Sequence, residues 1–249
     1  MKPKAKIIYL NIFIPLFLYA LINLNNHFKN KTQLENHPPV VKIIAPKNND
    51  IFEPGVQVKY TITVSDKEDG DSKFDEINIK EVLLQVRYFA NKSKLPTTLN
   101  QTTQNDLPGI AVMRTSNCFN CHNFNGKSIG PSFYEISKRY PATPANTDTL
   151  VKHIHDGSSG TWGKEKMPTH PELTNEETKI AVQWILKHAA DADVNYYIGT
   201  EGTFQIKPPV TPGQKGVCIL TASYTDHGLK NAAGKQRLKG QDVVAIYDN

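Results

Sequence analysis

The chain contains several stretches in which apolar and polar residues alternate, the pattern of half-buried β-strands. Val, Tyr and Ile side chains alternate with Gln, Lys and Thr across residues 56–64, and a similar alternation crosses residues 82–88. A third apolar segment, at residues 40–45, ends at Pro46. Because neighbouring side chains of a strand point to opposite faces, each segment has one face for a core and one for solvent. We therefore predict three antiparallel strands in this part of the chain.

The alternation returns near the end of the chain. Apolar residues recur around residues 204–206, 218–224 and 244–246, which predicts three more strands. Three strands alone form a poor core, whereas residues 38–95 and 196–249 together supply six strands, close to the size of an immunoglobulin-like sandwich. We predict one discontinuous antiparallel β-sandwich. The alternative is three separate units in a row, in which the C-terminal strands form a small unit of their own.

The intervening residues 96–195 have helical signals instead. Thr174, followed three positions later by Glu177, forms a capping box that opens a helix. Residues 146–148 offer an N-cap for an earlier helix, which Gly157 ends. We therefore predict an all-α domain inserted into a surface loop of the sandwich, a kind of insertion that chains tolerate because loop ends lie close together.

A Cys-x-x-Cys-His motif at Cys118, Cys121 and His122 predicts the chemistry of this domain, because such a motif attaches a c-type haem. Two cysteines three positions apart lie on about one helical face, so both thiols can reach one porphyrin, and His122 then binds the iron as the proximal ligand. A zinc site would need two further ligands at similar spacing, and the third cysteine, Cys218, is solitary. A redox dithiol of the thioredoxin type would lie in a turn that enters a helix after a strand, and it does not require a histidine after the second cysteine. We predict one covalent haem c, which supplies the apolar centre that a short helical segment lacks alone.

Two methionines are candidates for the distal iron ligand. Met113 precedes His122 on the same predicted helix, so it cannot reach the opposite face of the haem. Met167 lies in a polar, Gly-containing loop between two predicted helices, which suits a ligand better than core packing. A gap-filling Met167 is the alternative. His153 and His155 point to different sides of a helix and therefore form no shared metal site.

Residues 107–188 resemble the small bacterial monohaem class I cytochromes c. The order and spacing of the matching motifs agree with that family. The motifs are the haem-attachment sequence at 118–122, Ile-Gly-Pro-Ser-Phe at 129–133, Gly-Ser-Ser-Gly-Thr-Trp-Gly at 157–163, Lys-Met-Pro at 166–168 and Ala-Val-Gln-Trp-Ile-Leu at 181–186. The resemblance implies a metal-binding protein of electron transfer.

The same resemblance assigns roles to individual residues. It implies that the iron is bound by His122 and Met167, that Pro131 packs near the proximal histidine, and that Trp162 approaches a haem propionate. It implies no catalytic residue. The family often has Asn shortly after the ligand methionine, where its side chain can bond the sulfur, whereas residues 169–170 of this chain are Thr and His.

The flanking strands resemble bacterial immunoglobulin-like or polycystic-kidney-disease-type domains. The resemblance rests on Pro-Pro-Val at 38–40, on Val-Ser-Asp at 64–66 with the Asp-Gly that follows, and on the late strand at 216–226. The acidic turn at 66–71 suggests calcium, but Lys67 would occupy a ligand position of an EF-hand loop. A solvated turn is therefore the favoured interpretation.

The N-terminus predicts the compartment. Three lysines within the first six residues precede a mostly apolar run at 7–24, which is an export signal. The run is long for a signal core and no pair of small residues marks a cleavage site, so residues 1–25 favour an uncleaved inner-membrane anchor over a signal peptide. Residues 26–37 then form a linker. The remainder is predicted in the periplasm or at the cell exterior, where covalent haem attachment fits.

Charge narrows the function classes. Residues 101–191 carry nine Lys and Arg and nine Asp and Glu, and no basic patch with interleaved aromatic residues indicates nucleic-acid binding. Three classes remain: an electron carrier, a haem enzyme such as a peroxidase, and an adhesion or scaffold protein with an auxiliary haem domain. A peroxidase needs an open iron position, against which a Met167 ligand argues.

The combination of modules also resembles the terminal haem module attached to secreted quinoprotein sugar dehydrogenases of Bacteroidota-type bacteria. This resemblance implies a one-electron carrier rather than an enzyme. Its partners would be a separate exported dehydrogenase as electron donor and a cytochrome or oxidase of the respiratory chain as acceptor.

Overall fold

The computed structural model of the protein describes residues 35–90, 106–206, 215–229 and 237–248. Residues 36–249 form one compact unit, to which all the elements below belong. The predicted anchor or signal peptide at residues 1–25 lies outside the described residues, as does most of the predicted linker. In the part of the chain that the structure describes, none of the helices has both the length and the apolar composition of a membrane span.

The strands of the described residues form two sheets. They are β1 (Val40–Ala45), β2 (Ile51–Phe52), β3 (Gln57–Asp66), β4 (Gly70–Asp71), β5 (Leu83–Phe89), β6 (Val194–Ile198), β7 (Glu201–Gln205), β8 (Val217–Thr225) and β9 (Lys239–Asp248). In the first sheet β3 pairs with β1, β4 and β7, and in the second the order is β2-β9-β8-β5-β6. All pairs are antiparallel except β2 with β9. The six predicted strands are confirmed, and β2, β4 and β6 are additional.

Strands from the two ends of the chain pair directly. β5 lies between β8 and β6, and β3 pairs with β7. One hydrophobic core joins the two sheets, because the buried face of β3, with Val58 and Ile62, packs in the same cluster as Leu84 of β5 and Leu220 of β8. The alternation of apolar and polar residues that predicts these strands is therefore the alternation of core and solvent faces.

Between β5 and β6, the described residues form four α-helices. They are α1 (Pro108–Thr115), α2 (Phe133–Arg139), α3 (Pro144–Asp156) and α4 (Asn175–His188). The capping box at Thr174 and Glu177 is confirmed, with both of its reciprocal hydrogen bonds present. The predicted N-cap at 146–148 is wrong, since Thr143 caps α3 and a proline follows at the first helical position. Gly157 ends α3 with a positive φ of 78°, as predicted.

The haem-attachment motif does not continue a helix from Met113. α1 ends at Thr115, and Asn117 adopts a left-handed conformation with φ 58°. Cys118–Asn120 then forms one 3-10 turn, so the predicted single helix through Met113 and the motif is wrong. The amide N–H groups of Cys121 and His122 both donate to the carbonyl oxygen of Cys118, at 3.2 and 3.0 Å. Because this turn is tight, it keeps the two thiols and the imidazole close together.

Aromatic side chains join the helical segment to the second sheet. The Phe124 ring stacks on Tyr196 of β6, with centroids 4.9 Å apart, and Trp184 of α4 meets the same tyrosine at 5.4 Å in an edge-on arrangement. Leu83 of β5 and Ile198 of β6 belong to the same hydrophobic cluster. Aromatic pairs at such distances add stability beyond the area they bury, so this contact fixes the segment on the sheet.

A buried ion pair forms a second junction beside the aromatic one. The Arg114 guanidinium of α1 lies 2.8 Å from Asp106, and both side chains are almost fully buried. Lys239 of β9 lies 3.4 Å from the same carboxylate, and Thr225 of β8 donates to it at 3.0 Å. Arg114 also donates to the carbonyl oxygen of Glu81. The helical segment and the sheets are therefore linked by charge as well as by packing.

Candidate haem-binding site

One apolar cavity in the helical segment contains the predicted site. Side chains of all four helices line it, together with the loop after α3. All of the site residues predicted from the sequence lie on its wall: Cys118, Cys121, His122, Pro131, Trp162 and Met167. The remaining wall is largely apolar, with Ile136 of α2, Leu150 of α3 and Ile185 of α4 among its members.

The imidazole of His122 is buried and oriented. Its Nδ1–H donates to the carbonyl oxygen of Pro131 at 2.7 Å, and its ring stacks on Phe133 with centroids 5.5 Å apart. Burial lowers the pKa of His122, and the charge of nearby His170 lowers it further. The hydrogen bond to Pro131 raises this pKa, but by less. A neutral ring with Nδ1 protonated carries its lone pair on Nε2, which is the form that binds iron.

Gly130 allows the Pro131 carbonyl to approach the imidazole. A Cβ at this position would lie 2.5 Å from Cε1 of His122. No real side chain packs at that distance, so glycine is required where the loop passes the ring. Nothing in the sequence alone assigned Gly130 a role. Its place before Pro131 in the 129–133 motif was the available signal.

The two cysteines lie on the cavity wall, and no disulfide joins them. Burial raises the pKa of the Cys118 thiol to about 12. Reactive cysteines of redox dithiols have a lowered pKa, because the thiolate is the nucleophile. The burial of Cys118 therefore does not favour the thiolate on which a redox dithiol, the alternative for this motif, depends. Among the described residues, no cluster of His, Cys, Asp and Glu fits a metal site of the zinc type.

Backbone hydrogen bonds hold the loop that carries Met167. The amide of Ser158 donates to the Met167 carbonyl at 3.2 Å, and the amide of Met167 donates to the Ser158 carbonyl at 2.8 Å. Three residues later, the amide of His170 donates to Ile154 of α3 at 3.0 Å. The segment is thus fixed at two points against the end of α3. Met113 lines the cavity as well, but it is 1% exposed and packs in the cluster of phenylalanines whose member Phe133 stacks on His122.

Trp162 lies at the rim of the cavity and is covered by a cation. The Arg139 guanidinium at the end of α2 sits 4.7 Å from the indole, and its Nη1 donates to the carbonyl oxygen of Thr161 at 3.1 Å. This cation–π contact orders the loop between α3 and Met167. Arg139 was not singled out from the sequence, because nothing local in the chain shows that it meets a residue 23 positions later.

The residues at the cavity fit a haem. Two thiols, a neutral imidazole and a thioether lie on a largely apolar wall, and these are the side chains that attach a c-type porphyrin and bind its iron. Cys118 and Cys121 would hold the porphyrin covalently, and His122 and Met167 would bind the metal.

Comparison with known proteins places this segment in a class. The family model for cytochrome c matches residues 108–189. Cytochrome c-551 of Stutzerimonas stutzeri is 37% identical over 78 residues, which cover 31% of this chain and 74% of that relative. Cytochrome c-551 of Azotobacter vinelandii is 36% identical over 80 residues, 32% of this chain and 96% of the relative. The chain therefore belongs to the cytochrome c family through this segment.

One solved structure is also similar to this segment. The crystal structure of cytochrome c552 of Nitrosomonas europaea is 30% identical, covers 31% of this chain and 95% of that chain, and has a TM-score of 0.30. The family model and the two c-551 relatives show that the haem-binding part is a class I monohaem cytochrome c domain, whose cofactor is one covalent haem c. Proteins of this class are electron carriers and are typically periplasmic or exported. The predicted cofactor is confirmed.

Proposed function

We propose that the protein is a one-electron carrier in which His122 and Met167 are the two axial ligands of a single haem c. The observation that carries this proposal is that both side chains lie on the wall of one apolar cavity beside Cys118 and Cys121. An iron with two protein ligands has no coordination position left for a substrate, which favours electron transfer over catalysis.

The chain's own residues set the conditions for that transfer. A bound haem supplies the one-electron redox chemistry of its iron. The Pro131 carbonyl fixes the tautomer and orientation of His122, and the apolar wall excludes water. Arg139 holds Trp162 at the rim, where we assign the indole to a haem propionate. A dry, rigid surrounding reduces the rearrangement that accompanies a change of charge.

We further propose that the two sheets are one immunoglobulin-like domain, residues 38–95 and 196–249, into which the cytochrome domain, residues 96–195, is inserted. Pairing of β5 with β8 and of β3 with β7 supports this division. The stacked Phe124 and Tyr196 and the buried Arg114–Asp106 pair support a rigid mount. The sheets then hold the haem domain in one orientation towards a docking partner.

The partners follow from the same proposal. An exported dehydrogenase donates electrons, and a cytochrome or oxidase of the respiratory chain accepts them. Class I relatives carry electrons between redox partners, which supports the role but not these particular proteins. Export through residues 1–25, with an inner-membrane anchor, belongs to the proposal as well, and the typical export of the class supports the compartment.

Spectroscopy of the purified holoprotein tests the function. A pyridine haemochrome assay should give one haem c per chain, and the oxidised protein should show the weak far-red sulfur-to-iron charge-transfer band. Stopped-flow mixing with a small redox dye should reduce the haem rapidly, with negligible turnover of peroxide. Peroxide turnover at enzyme-like rates with the far-red band intact would instead establish a haem enzyme.

A further inference from the structure

His170 is a cavity residue that the proposed function does not use. It follows Met167 by three residues in the same loop and lies on the cavity wall with it. Its side chain is only 18% exposed, and its amide N–H is bonded to Ile154. The ring is thus partly buried, and its backbone is fixed against α3.

The ring of His170 is also oriented by an acceptor. Its Nδ1–H donates to Oε1 of Glu172 at 2.8 Å. A carboxylate on Nδ1 fixes the tautomer whose lone pair is on Nε2 and makes that nitrogen more basic, the arrangement found behind metal-binding histidines. His122 has the same arrangement, with the Pro131 carbonyl on its Nδ1. The cavity therefore has two histidines with Nε2 as the available donor atom.

The two rings come from different parts of the chain. His122 belongs to the segment after α1, whereas His170 belongs to the loop between α3 and α4 that carries Met167. Both rings line the same cavity. His170 therefore reaches into the same cavity from the segment that supplies the methionine.

We propose that His170 is a reserve distal ligand, whose Nε2 binds the haem iron when the Met167 sulfur does not. This inference rests on the haem site of the proposed function. Imidazole is a good ligand for iron, and Pro168 and Thr169 are all that separates the two side chains in the loop. The exchange needs a local shift of the loop, which Ser158 and Ile154 hold at Met167 and at His170.

The consequence is protection of the carrier. Hydrogen peroxide transfers one oxygen atom to the methionine sulfur and leaves as water, and the resulting sulfoxide is a polar group that no longer serves as a thioether ligand. With His170 in its place the iron stays six-coordinate, so peroxide finds no open position. The reduction potential of the haem then falls, but the protein does not become a peroxidase.

His153 is the matched control, because its side chain lines the same cavity from α3. No hydrogen bond or ion pair among the described residues orients its ring as Glu172 orients His170. A ring without such a partner is a poorer ligand, since its tautomer and direction are not fixed.

The experiment compares full-length holoproteins by visible absorption and electron paramagnetic resonance of the oxidised state. Met167→Ala should lose the far-red band yet remain low-spin and six-coordinate. Met167→Ala with His170→Ala should become high-spin and bind cyanide faster. Met167→Ala with His153→Ala should behave as Met167→Ala alone. If Met167→Ala incorporates no haem, Met167→Leu replaces it in each variant, because leucine keeps the space filled.

The outcomes separate this proposal from the one on which it rests. A wild-type protein without the far-red band overturns Met167 as the ligand. A wild-type protein with the band and a high-spin single variant overturns only the reserve role of His170. Low-spin spectra that persist in the His170 double variant also overturn it, as does loss of the low-spin state in the His153 double variant.

Discussion

Single positions around the imidazole of His122 determine whether its Nε2 is presented to the iron. The Pro131 carbonyl can bond Nδ1 only because Gly130 lets the loop pass within contact of the ring. Two neighbouring residues of one motif therefore act together: the glycine gives the space and the proline gives the acceptor.

We expect Gly130→Ala to disturb the proximal side. Its Cβ would meet Cε1 and Nδ1 of His122, so the ring or the loop must move, at a cost of about 1–3 kcal/mol of unfolding free energy. Haem attachment per chain should fall, and the visible spectrum should change. Gly126→Ala is the control, because no atom lies within 4 Å of its Cβ and its positive φ adds only local strain. Equal spectra of the two variants would contradict this role for Gly130.

A second residue-scale prediction concerns pH. Nδ1 of His227 lies 3.0 Å from Asp69 and Nε2 lies 2.9 Å from Glu81, an arrangement that needs both nitrogens protonated. The hydrogen bond with Glu81 raises the pKa of His227 above its ordinary 6.5, against partial burial. Its stabilisation is therefore full below about pH 6.5 and is lost as pH rises through the raised folded value.

Urea unfolding of the wild-type protein and of His227→Gln across this pH range measures the effect. The stability difference between them should shrink as pH rises above 6.5. The side chain is nearly half exposed, so the effect is small. Parallel pH profiles would show that the pair of carboxylates does not hold a charged His227.

At the scale of elements, the start of α4 is determined locally. Thr174 Oγ1 accepts from the amide of Glu177, and the Glu177 carboxylate accepts from the amide of Thr174. Thr174→Ala removes the cap and should lower the unfolding free energy by about 1 kcal/mol, whereas Thr174→Ser should restore most of it. Thermal unfolding followed at the haem absorption band measures both. An alanine variant as stable as the serine variant would contradict the capping role.

The elements that could be predicted from sequence are those whose signals are local. The alternation across residues 57–66 and the capping box at Thr174 each depend on side chains a few positions apart. β6 was not predicted, because its burial depends on residues distant in the chain. Its Tyr196 is covered by Phe124 and Trp184. The end of the helix before Asn117 was not predicted either. A continuous helix would also place Cys118 and His122 close together, so the motif itself does not indicate the break.

The site divides in the same way. Cys118, Cys121 and His122 belong to one short motif, so haem attachment could be predicted from the sequence. Met167 could be predicted as a ligand from the composition of its loop. Arg139 and Glu172 could not be assigned, because each acts on a side chain that the fold brings to it. The identity of the ligands can be predicted from short sequence motifs, whereas their orientation depends on tertiary contacts.

At the scale of the whole molecule, the helical segment and the sheets are coupled through Arg114. Its guanidinium pairs with Asp106, donates to the carbonyl of Glu81 before β5 and reaches Ser223 of β8 at 3.3 Å. Burial raises the pKa of Asp106, but the charges of Arg114 and Lys239 outweigh this effect and hold the pKa below its usual range. The carboxylate therefore remains charged. A charge that is buried and paired in this way is costly to leave alone.

Arg114→Ala should therefore weaken the junction rather than the haem site. Removal of one partner of a buried pair costs about 3–5 kcal/mol, although Lys239 remains near Asp106 and offsets part of it. Chemical unfolding of the holoprotein should give coincident transitions by haem absorption and far-ultraviolet circular dichroism in the wild type, and separate transitions in the variant. Arg87→Ala, which removes an exposed arginine of β5, should leave the transitions coincident and the stability within about 0.5 kcal/mol. Coincident transitions in Arg114→Ala would mean that the aromatic contact through Tyr196 alone couples the haem segment to the sheets.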